Sequence, residues 1–239
     1  MRRAAFVVAM MVATLTASAS PGWSAPGPSR AQQAEQVDFN GDGFADLAVG
    51  APGEAVGALA GAGALNVLYG SADGLQPSAD IFFQGSGGVP GTAEHDDAFG
   101  AALAKGDFNG DMRFDIAVGV PDEAVGGVTL AGAVNVLYGS PGGLTGAGSQ
   151  LFTQNNPEPV DFLGASLAAG DFDNNGFFDL AVGAPIERVG SQQAAGAVSV
   201  FYASGGPGGV VTPGPAFLQG SGGLGGTAEA FDFFGAALE

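Results

Sequence analysis

Cysteine is absent from the chain, which excludes a disulfide framework and any thiolate metal site. Histidine and tryptophan each occur once. Bases are scarce, with 6 Lys and Arg against 24 Asp and Glu and a formal net charge of -18. Such a surface repels nucleic acid and anionic membranes and suits cations. Long apolar runs are also missing. The best candidate, Ala4 to Leu15, is too short to span a bilayer.

Glycine is abundant, at 44 of 239 residues, and joins 14 prolines without a collagen-like period. Hydrophobic residues make up 46% of the chain, too many for a disordered one. Glycine and proline punctuate strands and turns and are poor in helix interiors. The composition therefore predicts many short strands joined by tight loops.

The N-terminus reads as an export signal. Arg2 and Arg3 precede the apolar run, and Ala17-Ser18-Ala19 supplies a small-residue cleavage pattern. Residues 1–25 are expected to form a signal peptide cleaved after 19, with 26–33 as a linker. An uncleaved anchor or a buried helix is the alternative. The expected location is secreted, with no membrane span after signal removal.

The rest of the chain repeats itself. Asp38–Pro52, Asp107–Pro121 and Asp171–Pro185 read alike, with first aspartates 69 and 64 residues apart. A second apolar run begins at Leu65, Val134 and Val198, each 19 residues after the ninth loop position. A third run follows at Ile81, Leu151 and Phe217. A fourth, at Phe99-Gly100, Leu163-Gly164 and Phe234-Gly235, trails Asp97, Asp161 and Asp232 by two residues. Four short runs per unit of about 65 residues give the arithmetic of a four-stranded propeller blade. The expectation is an all-β partial propeller over 34–239, with blades at 34–85, 97–155 and 161–220 and another starting at 232–239. A β-solenoid is the competing architecture, although its coils are shorter.

The repeated loops carry the chemistry. Positions 1, 3, 5 and 9 are Asp38, Asn40, Asp42 and Asp46 in loop one. They are Asp107, Asn109, Asp111 and Asp115 in loop two, and Asp171, Asp173, Asn175 and Asp179 in loop three. Position 7 (Phe44, Arg113, Phe177) offers a backbone carbonyl. Calcium takes six to eight oxygens, and alternating oxygen-bearing side chains on a tight turn converge. Without a cation, two carboxylates about 5 Å apart repel by about 3 kcal/mol at an effective dielectric of 20. The expectation is calcium at three sites. Solvated Asx turns and magnesium are the alternatives. An EF-hand is excluded, because its bidentate glutamate is replaced by Val49, Val118 and Val182. Gly43 and Gly176 at position 6 permit positive φ, whereas Met112 costs about 1 kcal/mol there. Arg113 adds a positive charge, so loop two is expected to bind weakest.

Together, Phe99-Gly100, the loop Asp107–Asp115 and the triplets Gly50-Ala51-Pro52 and Gly183-Ala184-Pro185 resemble FG-GAP repeats, which build the β-propeller at the head of integrin α chains. Departures are Gly119-Val120-Pro121, Leu163-Gly164 and Met112. The resemblance implies that each loop joins the first two strands of a blade, with calcium at one face and ligand contacts mainly at the other. The matching connections are about 53–63, 122–132, 186–196, 85–98 and 220–233. They are rich in Gly and Ala and show no hot spot.

Three blades cannot close a ring, and by the repeat spacing the next loop would start at 242. The expectation is a truncated sequence or a short protein that self-associates through exposed blade edges. Catalytic signals are weak. His95 sits in the acidic turn Glu94–Asp97, and Ser166 lacks a nucleophile elbow. Two readings follow: a secreted calcium-binding module for a protein or cell-surface ligand, of the adhesion type, or the non-catalytic propeller of a larger exported hydrolase such as a phospholipase.

Overall fold

The computed structural model describes residues 36–77, 79–206, 209–221 and 223–239, so the expected signal peptide and linker lie outside the described residues. The described residues are all-β, forming three antiparallel sheets. Sheet one contains β1 (Leu47–Ala51), β2 (Ala64–Leu68) and β3 (Ala79–Phe82). Sheet two contains β4 (Leu103–Gly106), β5 (Asp115–Val120), β6 (Ala133–Tyr138) and β7 (Thr145–Phe152). Sheet three contains β8 (Ser166–Gly170), β9 (Asp179–Ala184), β10 (Ala197–Ala203) and β11 (Val210–Phe217). Strands pair in chain order within each sheet.

The registers repeat as the sequence does. Val120 pairs with Ala133 and Ile116 with Leu137 in sheet two, while Ala184 pairs with Ala197 and Leu180 with Phe201 in sheet three. Every residue of β5, β6 and β9 is buried. Such strands are covered on both faces, which is why they read as unbroken apolar runs instead of alternating ones. One core joins Phe39, Leu65 and Val67 of the first repeat to Ile116, Val118 and Leu137 of the second. Another joins Phe108, Val134 and Val136 to Leu180, Val182 and Phe201. The first strands of sheets two and three, β4 and β8, also pack together. Face-to-face packing of four-stranded meanders is the blade arrangement of a β-propeller.

Two details differ from the sequence reading. The Phe-Gly pair precedes its strand instead of starting it: Phe99, Leu163 and Phe234 form parallel bridges to Gly63, Gly132 and Gly196 of the preceding repeat. Strands β7 and β11 begin at Thr145 and Val210, well upstream of the apolar runs at Leu151 and Phe217. The early positions of β7 are Thr-Gly-Ala-Gly-Ser, and in β11 Thr-Pro-Gly-Pro separates Val210-Val211 from the run at Phe217, so no continuous apolar pattern marks either start.

Candidate metal centre

Loops two and three join the first two strands of their sheets, β4 to β5 and β8 to β9, and loop one leads into β1. The aspartate at position 9 is the pivot of each. Asp46 is buried; its Oδ2 accepts Phe39 N–H at 2.8 Å and its Oδ1 accepts Gly70 N–H at 2.9 Å. Asp115 accepts Phe108 N–H and Gly139 N–H, each at 2.9 Å. Asp179 accepts Phe172 N–H at 2.8 Å and Ala203 N–H at 2.9 Å. Each carboxylate thus ties its loop to the end of the third strand of a four-strand repeat (β2 in sheet one). Burial pushes the Asp46 carboxyl upward and the Asp115 carboxyl up to about 7, opposed by those same backbone donors.

Position 1 organises the turn. Asp38 accepts Gly41 N–H at 2.7 Å and Gly43 N–H at 2.8 Å. Asp107 accepts Gly110 N–H at 2.7 Å and Met112 N–H at 2.9 Å. Asp171 accepts Asn175 N–H and Gly176 N–H, both at 2.9 Å. At positions 3 and 5, Asn40 Oδ1 and Asn109 Oδ1 accept Asp42 and Asp111 N–H at 2.9 Å. The matching bond in loop three runs from Asn175 N–H to Asp173 Oδ1 at 3.1 Å. Asx-type turns therefore shape all three loops. An ionised carboxylate has about four lone-pair sites, so even one that accepts three N–H groups, as Asp38, Asp107 and Asp115 do, keeps capacity for a cation.

In loop three, oxygens of Asp171, Asp173 and Asp179 lie within 4.8 Å of one another, the one acidic trio among the described residues that gathers in this way. Carboxylate and amide oxygens without nitrogen or sulfur ligands form a donor set for a hard divalent cation. Loops one and two carry Asn40 and Asn109 where loop three has Asp173.

Loop two departs from its neighbours as the sequence indicates. Met112 has φ 68°, where Gly43 and Gly176 have 88° and 92°. Arg113 Nη1 lies 3.5 Å from Asp111 Oδ2. The position 7 side chains also reach the preceding loop, a role the sequence reading misses. A Cβ on Gly41 would lie 3.2 Å from Arg113 Nε, and one on Gly110 would collide with the Phe177 ring. Phe44 is exposed.

His95 is exposed and its Nδ1 accepts Ala60 N–H at 3.2 Å. Ser166 donates its hydroxyl to the Gly235 carbonyl at 2.5 Å, which makes it a strut. Sequence reasoning also overlooks a polar set at the opposite end of the sheets: Gln84 with Glu123, and Gln154 with Glu187. Its signal was present, since Glu54, Glu123 and Glu187 each fall 16 residues after the first loop aspartate.

Blades of this kind, joined through Phe-Gly turns and carrying acidic loops at one end, define an integrin-like repeat propeller. The chain carries FG-GAP repeats: that repeat family matches residues 33–68 and 163–201. Phosphatidylinositol-glycan-specific phospholipase D of Rattus norvegicus is 36% identical over 167 residues, 70% of this chain and 20% of that protein. The Homo sapiens protein of the same name is 35% identical over 168 residues. Integrin alpha-PS5 of Drosophila melanogaster is 36% identical over 154 residues, covering 62% of this chain and 14% of the integrin. The chain thus spans about 20% of the length of the phospholipase relatives it matches. Among the described residues, no helix is long and apolar enough to cross a membrane.

Proposed function

We propose that the chain is a secreted, calcium-stabilised FG-GAP module that binds a protein or cell-surface ligand. The observation that carries the calcium assignment is the convergence of Asp171, Asp173 and Asp179 within 4.8 Å, in a loop whose register recurs twice more. In this reading Asp171, Asp173, Asn175, the Phe177 carbonyl and Asp179 hold one ion. Asp38, Asn40, Asp42, the Phe44 carbonyl and Asp46 hold another. Asp107, Asn109, Asp111, the Arg113 carbonyl and Asp115 hold the weakest. A bound ion supplies positive charge that draws the buried Asp46 and Asp115 carboxyls, pushed up by burial, back to the ionised form. The loops need that charge most where aspartates crowd, as in loop three.

The repeat boundaries 34–85, 97–155 and 161–220 are retained as blades, residues 1–25 as a signal peptide, and the ends of the sheets opposite the loops as the ligand face. Calorimetric titration of calcium into the chain, repeated with Asp173→Ala, tests the assignment. The expected result is uptake by the parent and loss of one site in the variant. Absence of uptake by the parent refutes it.

A second reading is favoured by the phospholipase relatives, which match 70% of this chain. In it the module is the non-catalytic propeller of a larger exported hydrolase. Reading the gene past codon 239 separates the two: further repeats support the binding module, and a catalytic motif supports the hydrolase.

A further inference from the structure

The seams between sheets carry a second polar cluster, at the end away from the acidic loops. Gln84, just after β3, is 2% exposed and donates Nε2–H to Glu123 Oε2 across the seam at 2.9 Å. Gln154, just after β7, donates to Glu187 Oε2 at 2.7 Å. The amide oxygens of both glutamines are buried without a hydrogen-bond partner. Asp97 and Glu94 face Glu123 from the preceding turn, and Asp122 adjoins it in the chain. Asp161 and Glu158 face Glu187, Arg188 adjoins it, and Glu187 and Asp161 are in hydrogen-bond contact. Glu54, at the same repeat position in the first repeat, is exposed.

An ionised carboxylate only accepts, so it can neither satisfy an orphan amide oxygen nor hydrogen-bond a second carboxylate. A protonated carboxyl, with its single O–H, can do either. A buried acceptor left unsatisfied costs more than the bond itself is worth, so the proton has a place to go. Glu187 and Gln154 also line an open cavity of about 380 Å³.

We propose that Glu123 and Glu187 are proton-holding clasps between neighbouring sheets, neutral while the seam is closed, with Glu123 donating its carboxyl O–H to Gln84 Oε1 and Glu187 donating to the Asp161 carboxylate. Burial supports this by pushing the Glu123 carboxyl up to about 7 from an ordinary 4.5 and the Glu187 carboxyl in the same direction. Between those values the folded chain binds more protons than the unfolded one. The clasp is therefore complete at or below about pH 4.5 and is lost as pH rises through about 7. The seam tightens in mild acid and loosens above neutrality.

Thermal melts of the chain between about pH 5.5 and about pH 8, in saturating calcium and separately in chelator, test this. The parent midpoint is expected to fall by several degrees as pH rises. In chelator the buried Asp115 carboxyl, also pushed up to about 7, adds a slope of its own. The double variant Glu123→Gln/Glu187→Gln, which replaces each neutral acid by a neutral amide, is expected to lose the part the clasps add and show a clearly shallower slope than the parent, and Glu54→Gln to keep the full slope. Carbon-13 NMR of the glutamate carboxyls in the unmodified chain gives a readout that no variant's folding can confound: two are expected to titrate above about pH 6. A parent midpoint that is flat or rises with pH, a slope undiminished in the double variant, or glutamates that all titrate below about pH 5 would overturn the proposal. The chelator arm keeps this test separate from the fate of the calcium assignment.

Discussion

Gly50 and Gly100 touch across the seam between sheets one and two, so closely that a Cβ on Gly50 would collide with the Gly100 carbonyl oxygen. Gly119 meets Gly164, and Gly183 meets Gly235, in the same way. The glycine of each Gly-x-Pro triplet thus faces the glycine of the following Phe-Gly or Leu-Gly pair. The two halves of the repeat motif are the two sides of one backbone contact. Gly119→Ala is expected to destabilise the chain by about 2–3 kcal/mol, since the obstacle is rigid backbone. Urea denaturation would show a lower midpoint at unchanged slope.

Asp115 and Asp111 lie in one loop and are expected to respond differently to substitution. Asp115 is buried and accepts three backbone N–H groups, from Phe108, Asn109 and Gly139. Its replacement by Ala strands those donors and should cost about 3 kcal/mol or more even in chelator. Asp111→Ala should leave stability in chelator within about 0.5 kcal/mol of the parent and act only on calcium uptake. Equal losses for both variants in chelator would contradict this division.

Met112 occupies the left-handed region at φ 68° and is 89% exposed, so its side chain contributes little packing against that strain. Met112→Gly is expected to add about 1 kcal/mol of stability. For a domain of this size that is about 2–4 °C in the thermal midpoint. Arg113→Ala should tighten calcium at loop two by removing the guanidinium beside Asp111, and a calcium titration would reveal the gain. A tightest parent site at loop two would refute the ranking.

Much of the fold was legible because the residues that build it repeat. The position 9 aspartates, the glycine pairs and the apolar runs at Leu65, Val134 and Val198 recur at fixed offsets, and the strands follow them. Residues whose spacing drifts were less visible. Gln84 and Gln154 stand 46 and 47 residues after their loop starts, so their pairing with the next repeat's glutamate emerges only when the sheets stack. Burial is also set by what lies beyond the repeat. Phe39 and Phe108 are fully buried, whereas Phe172, at the same loop position, is 51% exposed. The loop chemistry was legible as an alternation of oxygens, but the tether from position 9 to Gly70, Gly139 and Ala203 required the third dimension.

Phe231 and Phe233 are both exposed, with ring centroids 6.2 Å apart, and they lie beside sheet three. Exposed aromatic pairs of this kind promote association. Sedimentation is expected to show concentration-dependent self-association of the chain that weakens in the Phe231→Ser/Phe233→Ser variant. A parent that stays monomeric at all concentrations would contradict the expectation.

The calcium assignment faces its most direct trial in a paired melt of one preparation, with millimolar calcium in one cell and excess chelator in the other, backed by calorimetric counting of bound ions. Ion-filled loops predict a higher midpoint with calcium and uptake of about three ions, because a ligand that binds only the folded form raises its stability. Superimposable melts with no heat of ion binding would show that the repeated aspartates shape turns without holding metal.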